Sequence, residues 1–179
     1  MAALLPAALW ALSCFYLFGA LGLWIDDWYY IQRAPESLAV EAWYLERPIH
    51  FWRPLYKSIV PPLLTLFWES DAIAHALLAI AHAGVAALLW RLLWTLGVSR
   101  LAASGAALLF LTTPVHYECV FWISALPTTL ATALGVGTLL LTVQWARGRT
   151  PPWLITLLAP AYFAMAALNE QPAALAAAL

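Results

Sequence analysis

Two adjacent aspartates at the end of a long apolar stretch are the first residues in this sequence whose type and position could do chemistry. Asp26 and Asp27 follow a run from Ala2 to Ile25 without one charged side chain, and they lie inside the aromatic cluster 24–30. A run of that length can span a bilayer, so the pair is expected where a membrane helix meets water. Carboxylates are costly to desolvate there, which makes them candidates for function. One could accept a proton or hold a divalent cation such as Mg²⁺ or Mn²⁺, or the pair could simply end the helix.

Two glutamates follow later apolar segments in the same way. Glu118 comes shortly after the apolar run that ends at Val115, and Glu170 follows the last complete apolar segment. If Glu118 emerges beside the aspartates, it could take part in acid–base chemistry or bind a metal together with Asp27. The alternative is that both glutamates are ordinary solvated loop residues.

Three cations occupy the long polar stretch after the first apolar run. Arg47, Arg53 and Lys57 could clamp an anionic group such as a phosphate, for which arginine is geometrically suited. They could equally be solvated charges that balance Glu41 and Glu46.

Two histidines, His75 and His82, are seven residues apart in an apolar segment and therefore share nearly the same helix face. They could line a polar cavity or contact a lipid phosphate, although such histidines are more often hydrogen-bonded between helices. No Cys or His spacing indicates a transition-metal site. Cys14 and Cys119 are most simply small apolar packing residues.

The composition indicates an all-α integral membrane protein. The chain is 65% hydrophobic and 9% charged, whereas soluble domains carry roughly 25% charged residues. The lipid bilayer is therefore a predicted partner, and the absence of a basic patch argues against nucleic acid. The N-terminus lacks Lys and Arg and offers only a weak small-residue cleavage site at Phe18-Gly19-Ala20, so an uncleaved first span is favoured over a signal peptide.

The elements that must position these residues form one polytopic domain over residues 1–179. Five spans are predicted, at 4–25, 71–94, 101–115, 124–145 and 153–168. The first outer loop, 26–70, is predicted to hold a short surface helix at 36–46 and a re-entrant or interfacial piece at 58–68 that Pro61-Pro62 interrupts. The apolar stretch 173–179 is interpreted as the start of a truncated sixth helix, which favours an N-terminal fragment of a longer protein. Ala131 and Gly135, four residues apart, indicate helix packing.

Charge placement orients these spans. Alternation puts four arginines in short turns at one face, namely Arg91, Arg100, Arg147 and Arg149. It puts all nine acids at the opposite face. The positive-inside rule then predicts a multi-pass protein of the plasma (inner) membrane with a cytoplasmic N-terminus and acidic loops in the periplasm or exterior.

Taken in order, the motifs resemble those of the GT-C membrane glycosyltransferases. The resemblance consists of the aspartates after the first span, Arg53-Pro54-Leu55 in the first loop, His82 in the second span, and Pro114-Val115-His116-Tyr117-Glu118 followed by Trp122-Ile123-Ser124. The nearest branch is the protein O-mannosyltransferase-like one, which includes dolichyl-phosphate-mannose-dependent enzymes with tetratricopeptide tails.

This resemblance implies transfer of a sugar from a polyprenyl-phosphate carrier to a protein, lipid or glycan acceptor on the non-cytoplasmic face. It implies that Asp26 or Asp27 is the catalytic base or a metal-linked carboxylate, and that Glu118 is the acidic residue of the second outer loop, a further catalytic candidate. The substrate-binding residues predicted from the sequence as a whole are Arg47, Arg53, Lys57, His82, His116 and Glu170. Two features depart from the family: Asn169-Glu170 stands where many relatives have Lys-Glu, and relatives are longer. The alternatives are a transporter or lipid-handling membrane protein, and a non-catalytic assembly subunit.

Overall fold

The computed structural model describes residues 54–67, 71–113 and 121–168, and all regular elements among them are helical. We number the α-helices α1 (Pro54–Phe67), α2 (Asp71–Thr95), α3 (Arg100–Thr112), α4 (Leu126–Ala146) and α5 (Leu158–Leu168). A 3-10 helix precedes α4 at Ile123–Ala125, and another precedes α5 at Pro152–Leu157. The all-α prediction is confirmed for these segments. The predicted first span, the surface helix at 36–46 and the stretch 173–179 lie outside them.

Two of the described helical segments are long and apolar enough to cross a membrane. Ala72–Thr95 and Ile123–Ala146 each contain 24 residues, with mean hydropathies of 2.0 and 1.6. A helix of that length measures about 36 Å, against a hydrocarbon core of about 30 Å. Arg100–Thr112 and Pro152–Leu168 are apolar and lie where spans were predicted, but they are shorter. The total of five spans therefore stays a prediction.

Both long helices end in the same way, at a Trp-x-x-Gly sequence. At the end of α2, Gly97 has a φ of 100°, and Val98 N–H donates to the Leu93 carbonyl at 3.0 Å. At the end of α4, Gly148 has a φ of 64°, and Arg149 N–H donates to the Gln144 carbonyl at 2.9 Å. Glycine adopts this left-handed conformation without a steric penalty, and the resulting Schellman turns satisfy the last helix carbonyls.

The first helical hairpin pairs α2 with α3 through small side chains. Ala83 and Ala86 of α2 pack with Ala107 and Leu111 of α3. Nearer the turn, Trp90 Nε1 donates to Ser104 Oγ at 3.2 Å. Residues later in α2 contact residues earlier in α3, so the two helices are antiparallel.

The second hairpin pairs α4 with α5. Ala131 packs with Met165 and Leu168, and Leu55 of α1 lies against this cluster. A Cβ placed on Gly135 would lie 3.2 Å from Met165 Sδ, so the two backbones approach closely at this point. The prediction that Ala131 and Gly135 serve helix packing is confirmed.

The two hairpins dock through α2 and α4, which run in the same direction. At one end Arg147 Nη1 donates to the Thr95 carbonyl. At the other end, Ile123–Ala125 contacts α2. We call the first the arginine end, and the second, where α2 begins, the Asp71 end.

The structure corrects one prediction about the outer loop, because Pro61 and Pro62 do not interrupt the helix that contains them. Helix α1 runs unbroken from Pro54 to Phe67. A proline ring holds φ close to its helical value but removes one backbone donor, so two intrahelical bonds are lost. Burial of the surrounding face compensates: Val60 is fully buried and Ile59 packs on the α4–α5 cluster. At about 21 Å, α1 is shorter than a bilayer core, as a re-entrant or interfacial segment requires.

Candidate functional site

Most of the predicted site residues lie outside the described residues. These are the catalytic candidates Asp26, Asp27 and Glu118, together with Arg47, Arg53, His116 and Glu170. The backbone of Lys57 belongs to α1, but its side chain is not described. The predicted roles of these side chains, including metal binding by Asp27 and Glu118, stay predictions. Within the described part of the chain, no group of three His, Cys, Asp or Glu side chains could hold a metal ion.

The described helices show where the connections that carry Glu118 and Glu170 begin or end. Glu118 belongs to the stretch 114–120, which joins α3 to the 3-10 helix Ile123–Ala125, and that 3-10 helix contacts α2 at the Asp71 end. Glu170 follows the end of α5 at Leu168, and Leu168 packs near Ala131 in the half of α4 closer to the same end. The connections that carry the two glutamates therefore meet the helices away from the arginine end.

Helix α3 ends earlier than the predicted span 101–115. Its last residue is Thr112, and Thr113 is already extended, with φ −69° and ψ 121°. The cause is local, because Pro114 follows and the residue before a proline is disfavoured in the α-helical region. Helix α3 therefore ends three residues before the end of the predicted span.

The end of α3 lies beside a buried histidine of α2. The His82 ring stacks on Phe110, with the ring centroids 4.7 Å apart and the planes at 19°. His82 is only 1% exposed and occupies roughly the middle of α2. The chain thus leaves α3 for the Glu118 stretch near mid-length of α2 rather than at its first turn.

His75 is a second buried histidine of α2, nearer the Asp71 end. It is 2% exposed and lies one heptad before His82, so the two imidazoles are about 10 Å apart along one face of α2. Both histidines face the protein interior, in agreement with the prediction that they share a face. The substrate-binding role predicted for His82 is not tested by this packing.

The sequence patterns did not single out Phe110, whose ring stacks on His82. Its apolar ring and its position in α3 give no signal by themselves, because its contact with His82 depends on how α3 is rotated against α2. The early end of α3 could have been found, since Thr113-Pro114 is a helix-stop signal.

No protein-family model, curated protein or solved structure matches this chain. The resemblance to GT-C enzymes therefore rests on the residues and motifs themselves.

Proposed function

We propose that this protein is a membrane glycosyltransferase of the GT-C type, which transfers a sugar from a polyprenyl-phosphate-linked donor to an acceptor on the non-cytoplasmic face. The observation that carries the proposal is the ordered series of motifs, from Asp26-Asp27 through Arg53-Pro54-Leu55 to His116-Tyr117-Glu118. The connection that carries Glu118 leaves α3 at Thr112, close to the buried His82.

The surface of the described helices supports placement in a membrane. Large apolar side chains face outward on both α2 and α3, including Ile80 at 62%, Leu101 at 84% and Leu109 at 68% exposure. Contiguous apolar surface is rare on soluble monomers and is expected where helices contact lipid. We propose a multi-pass protein of the plasma (inner) membrane, with the arginine end in the cytoplasm under the positive-inside rule and the Asp71 end outside.

The proposed reaction is an inverting displacement at the anomeric carbon. Asp26 or Asp27 accepts the proton of the acceptor hydroxyl while the acceptor oxygen forms a bond to that carbon. The bond from the anomeric carbon to the phosphate oxygen of the donor breaks, and its electron pair stays on the lipid phosphate. Arg47 and Arg53 stabilise the negative charge that develops there.

The proposal is tested by sugar transfer in liposomes that contain the purified protein and a panel of polyprenyl-phosphate hexoses. Because general-base catalysis contributes about 10²–10⁴-fold, at least one of Asp26→Asn and Asp27→Asn should lose transfer by about that factor. Glu118→Gln should also be impaired. Glu41→Gln, which neutralises a carboxylate of the same loop, is the matched control and should retain activity. Full transfer by both single aspartate variants contradicts the proposed mechanism.

A second function, proton- or ion-coupled transport, is favoured by the depth of His82. An ionisable side chain that is buried near the middle of a membrane helix is a common element of proton and ion pathways. His75, on the same face, extends such a pathway toward one end of α2. Liposomes loaded with a pH-sensitive dye distinguish the two functions. A transporter should show substrate-dependent pH changes that His82→Gln abolishes, whereas a transferase should show none.

A further inference from the structure

A cavity of about 460 Å³ opens at the arginine end, away from the proposed transfer site. It lies between the ends of α2 and α4, and its polar lining includes Arg91, Gln144, Arg147 and Arg149. Trp94 supplies an aromatic wall. Three guanidinium groups from two helix ends therefore line one space.

Two of the three arginines that line this cavity, Arg91 and Arg147, are held in place by specific contacts. The Arg91 guanidinium lies over the Trp94 ring at 4.6 Å, and that of Arg100 lies near the same ring at 4.8 Å. Arg147 donates to the Thr95 carbonyl, where α2 ends. Cation–π contacts and a hydrogen bond restrict these long side chains, so less conformational entropy is lost when they bind an anion.

The positive charge at this end exceeds what the described residues neutralise. The C-termini of α2 and α4 contribute roughly −0.5 charge each, which is much less than four arginines supply. Asp71 is the only acidic residue within the described ranges. It lies at the far end of α2, about 30 Å from Arg91 along the helix. The cavity therefore presents a net positive potential to an incoming anion.

The surroundings of the cavity favour an anion that carries hydrocarbon. Leu96 follows Thr95 of the cavity wall and is 50% exposed, while Trp145, between Gln144 and Arg147, is 45% exposed. Tryptophan suits the membrane interface, where its apolar ring and its polar N–H are both accommodated. Basic pockets between membrane helices on the cytoplasmic side are suited to anionic lipid headgroups.

We propose that this cavity binds the phosphate of an anionic phospholipid headgroup, with Arg91, Arg147 and Arg149 as its ligands. The acyl chains then lie along the exposed apolar surface beside Leu96 and Trp145. Arginine pairs with phosphate oxygens through two parallel N–H donors, and Gln144 adds a neutral donor. The site is independent of the proposed glycosyl transfer, because it lies at the other end of the same helices.

The experiment measures lipid binding by the whole protein, delipidated in neutral detergent, by native mass spectrometry. Phosphatidylglycerol, phosphatidylcholine and inorganic phosphate are titrated separately, and phosphate is also tested as a competitor of phosphatidylglycerol. We expect saturable binding of phosphatidylglycerol and weaker binding of phosphatidylcholine. Inorganic phosphate at low millimolar concentration should not displace the bound lipid.

Two variants remove a cavity arginine, and a third removes the same charge beside the cavity. Arg149→Gln and Arg91→Gln should each weaken phosphatidylglycerol binding about fivefold, the effect expected of one arginine near an anionic headgroup. Arg100→Gln, which alters a side chain that does not line the cavity, should change it less than twofold. Arg149 is exposed and directly follows Gly148, so Arg149→Gln should keep its helix content. Its lipid binding therefore tests the proposal even if Arg91→Gln misfolds.

Three results would overturn the proposal. If phosphatidylcholine binds as tightly as phosphatidylglycerol, the net negative charge of the lipid does not determine binding. If Arg100→Gln weakens phosphatidylglycerol binding as much as Arg149→Gln does, the lipid responds to the general positive charge of this end rather than to a specific binding site. Complete displacement of phosphatidylglycerol by inorganic phosphate assigns the cavity to a free phosphate anion instead of a lipid.

Discussion

The close approach of α4 and α5 at Gly135 gives a prediction with a built-in control. A Cβ at Gly135 would lie 3.2 Å from Met165 Sδ, whereas a Cβ at Gly137, two residues further along the same helix, would meet nothing within 4 Å. Leucine at position 135 places three further carbons where Met165 packs. Met165 is fully buried against Ala131 and Leu168, so it has little room to move.

The expected difference in the free energy of unfolding follows from these contacts. Overpacking a filled core costs about 1–3 kcal/mol, so Gly135→Leu should destabilise the protein by about that amount. Replacing a helical glycine where space is open removes backbone entropy from the unfolded chain and contributes about 0.5–1 kcal/mol of stability. Gly137→Leu should therefore be neutral or stabilising, and the two variants should differ by about 1–4 kcal/mol.

The assay is thermal unfolding in neutral detergent, followed by circular dichroism and by the fraction of protein that stays monodisperse. The second variant Gly135→Leu/Met165→Ala tests the cause, since it makes room for the added leucine and should recover at least half of the lost stability. Equal unfolding temperatures for Gly135→Leu and Gly137→Leu would refute the reasoning. So would a double variant that is no more stable than Gly135→Leu alone.

Three further predictions concern the ends of α2 and its pairing with α3. Arg147→Gln removes the charged donor to the last carbonyl of α2 and should lower the unfolding free energy by about 1 kcal/mol, visible as a lower melting temperature. Gly97→Ala forces a residue with a Cβ into the left-handed region at φ 100° and should cost about 1–2 kcal/mol, whereas Gly105→Ala, in a helix with open space around it, should cost nothing. In a double-mutant cycle, Trp90→Phe and Ser104→Ala should show a coupling of about 1 kcal/mol, and additive effects would contradict the hydrogen bond.

The long helices were predictable because length, apolar content and stop signals agree. The second span was predicted at 71–94, and α2 runs from Asp71 to Thr95. Gly97 and the following polar residues mark its end in the sequence as well as in the structure. For α3, the prediction extended beyond Thr112 because apolar content was followed past Thr113-Pro114, although the proline was the stronger local signal.

Helix α1 shows the opposite balance between local signal and packing. Pro61-Pro62 is a correct reason to expect an interruption, since two backbone donors are missing. The helix persists because tertiary burial of Val60 and Ile59 outweighs that loss. Such burial depends on α4 and α5, which lie far along the chain, and no local pattern reveals it.

The site was predictable only in part, for a similar reason. Alternation of spans placed the four arginines at one face, and the structure puts Arg91, Arg147 and Arg149 around one cavity. The cavity itself was not predicted, because it requires α2 and α4 to dock side by side in the same direction. The bond between Arg147 and Thr95 joins residues 52 positions apart, a separation at which neither periodicity nor motif spacing carries information.

The pairing of helices also has a consequence for the order in which the chain folds. The α2–α3 contacts join helices separated by the turn 96–99, and the α4–α5 contacts join helices separated by the connection 147–157. Each hairpin can therefore close as soon as its second helix has left the ribosome. The contact between Arg147 and Thr95 joins the two hairpins and cannot form until α4 is complete. The two hairpins would then form separately, and they would associate through α2 and α4 only after α4 is complete.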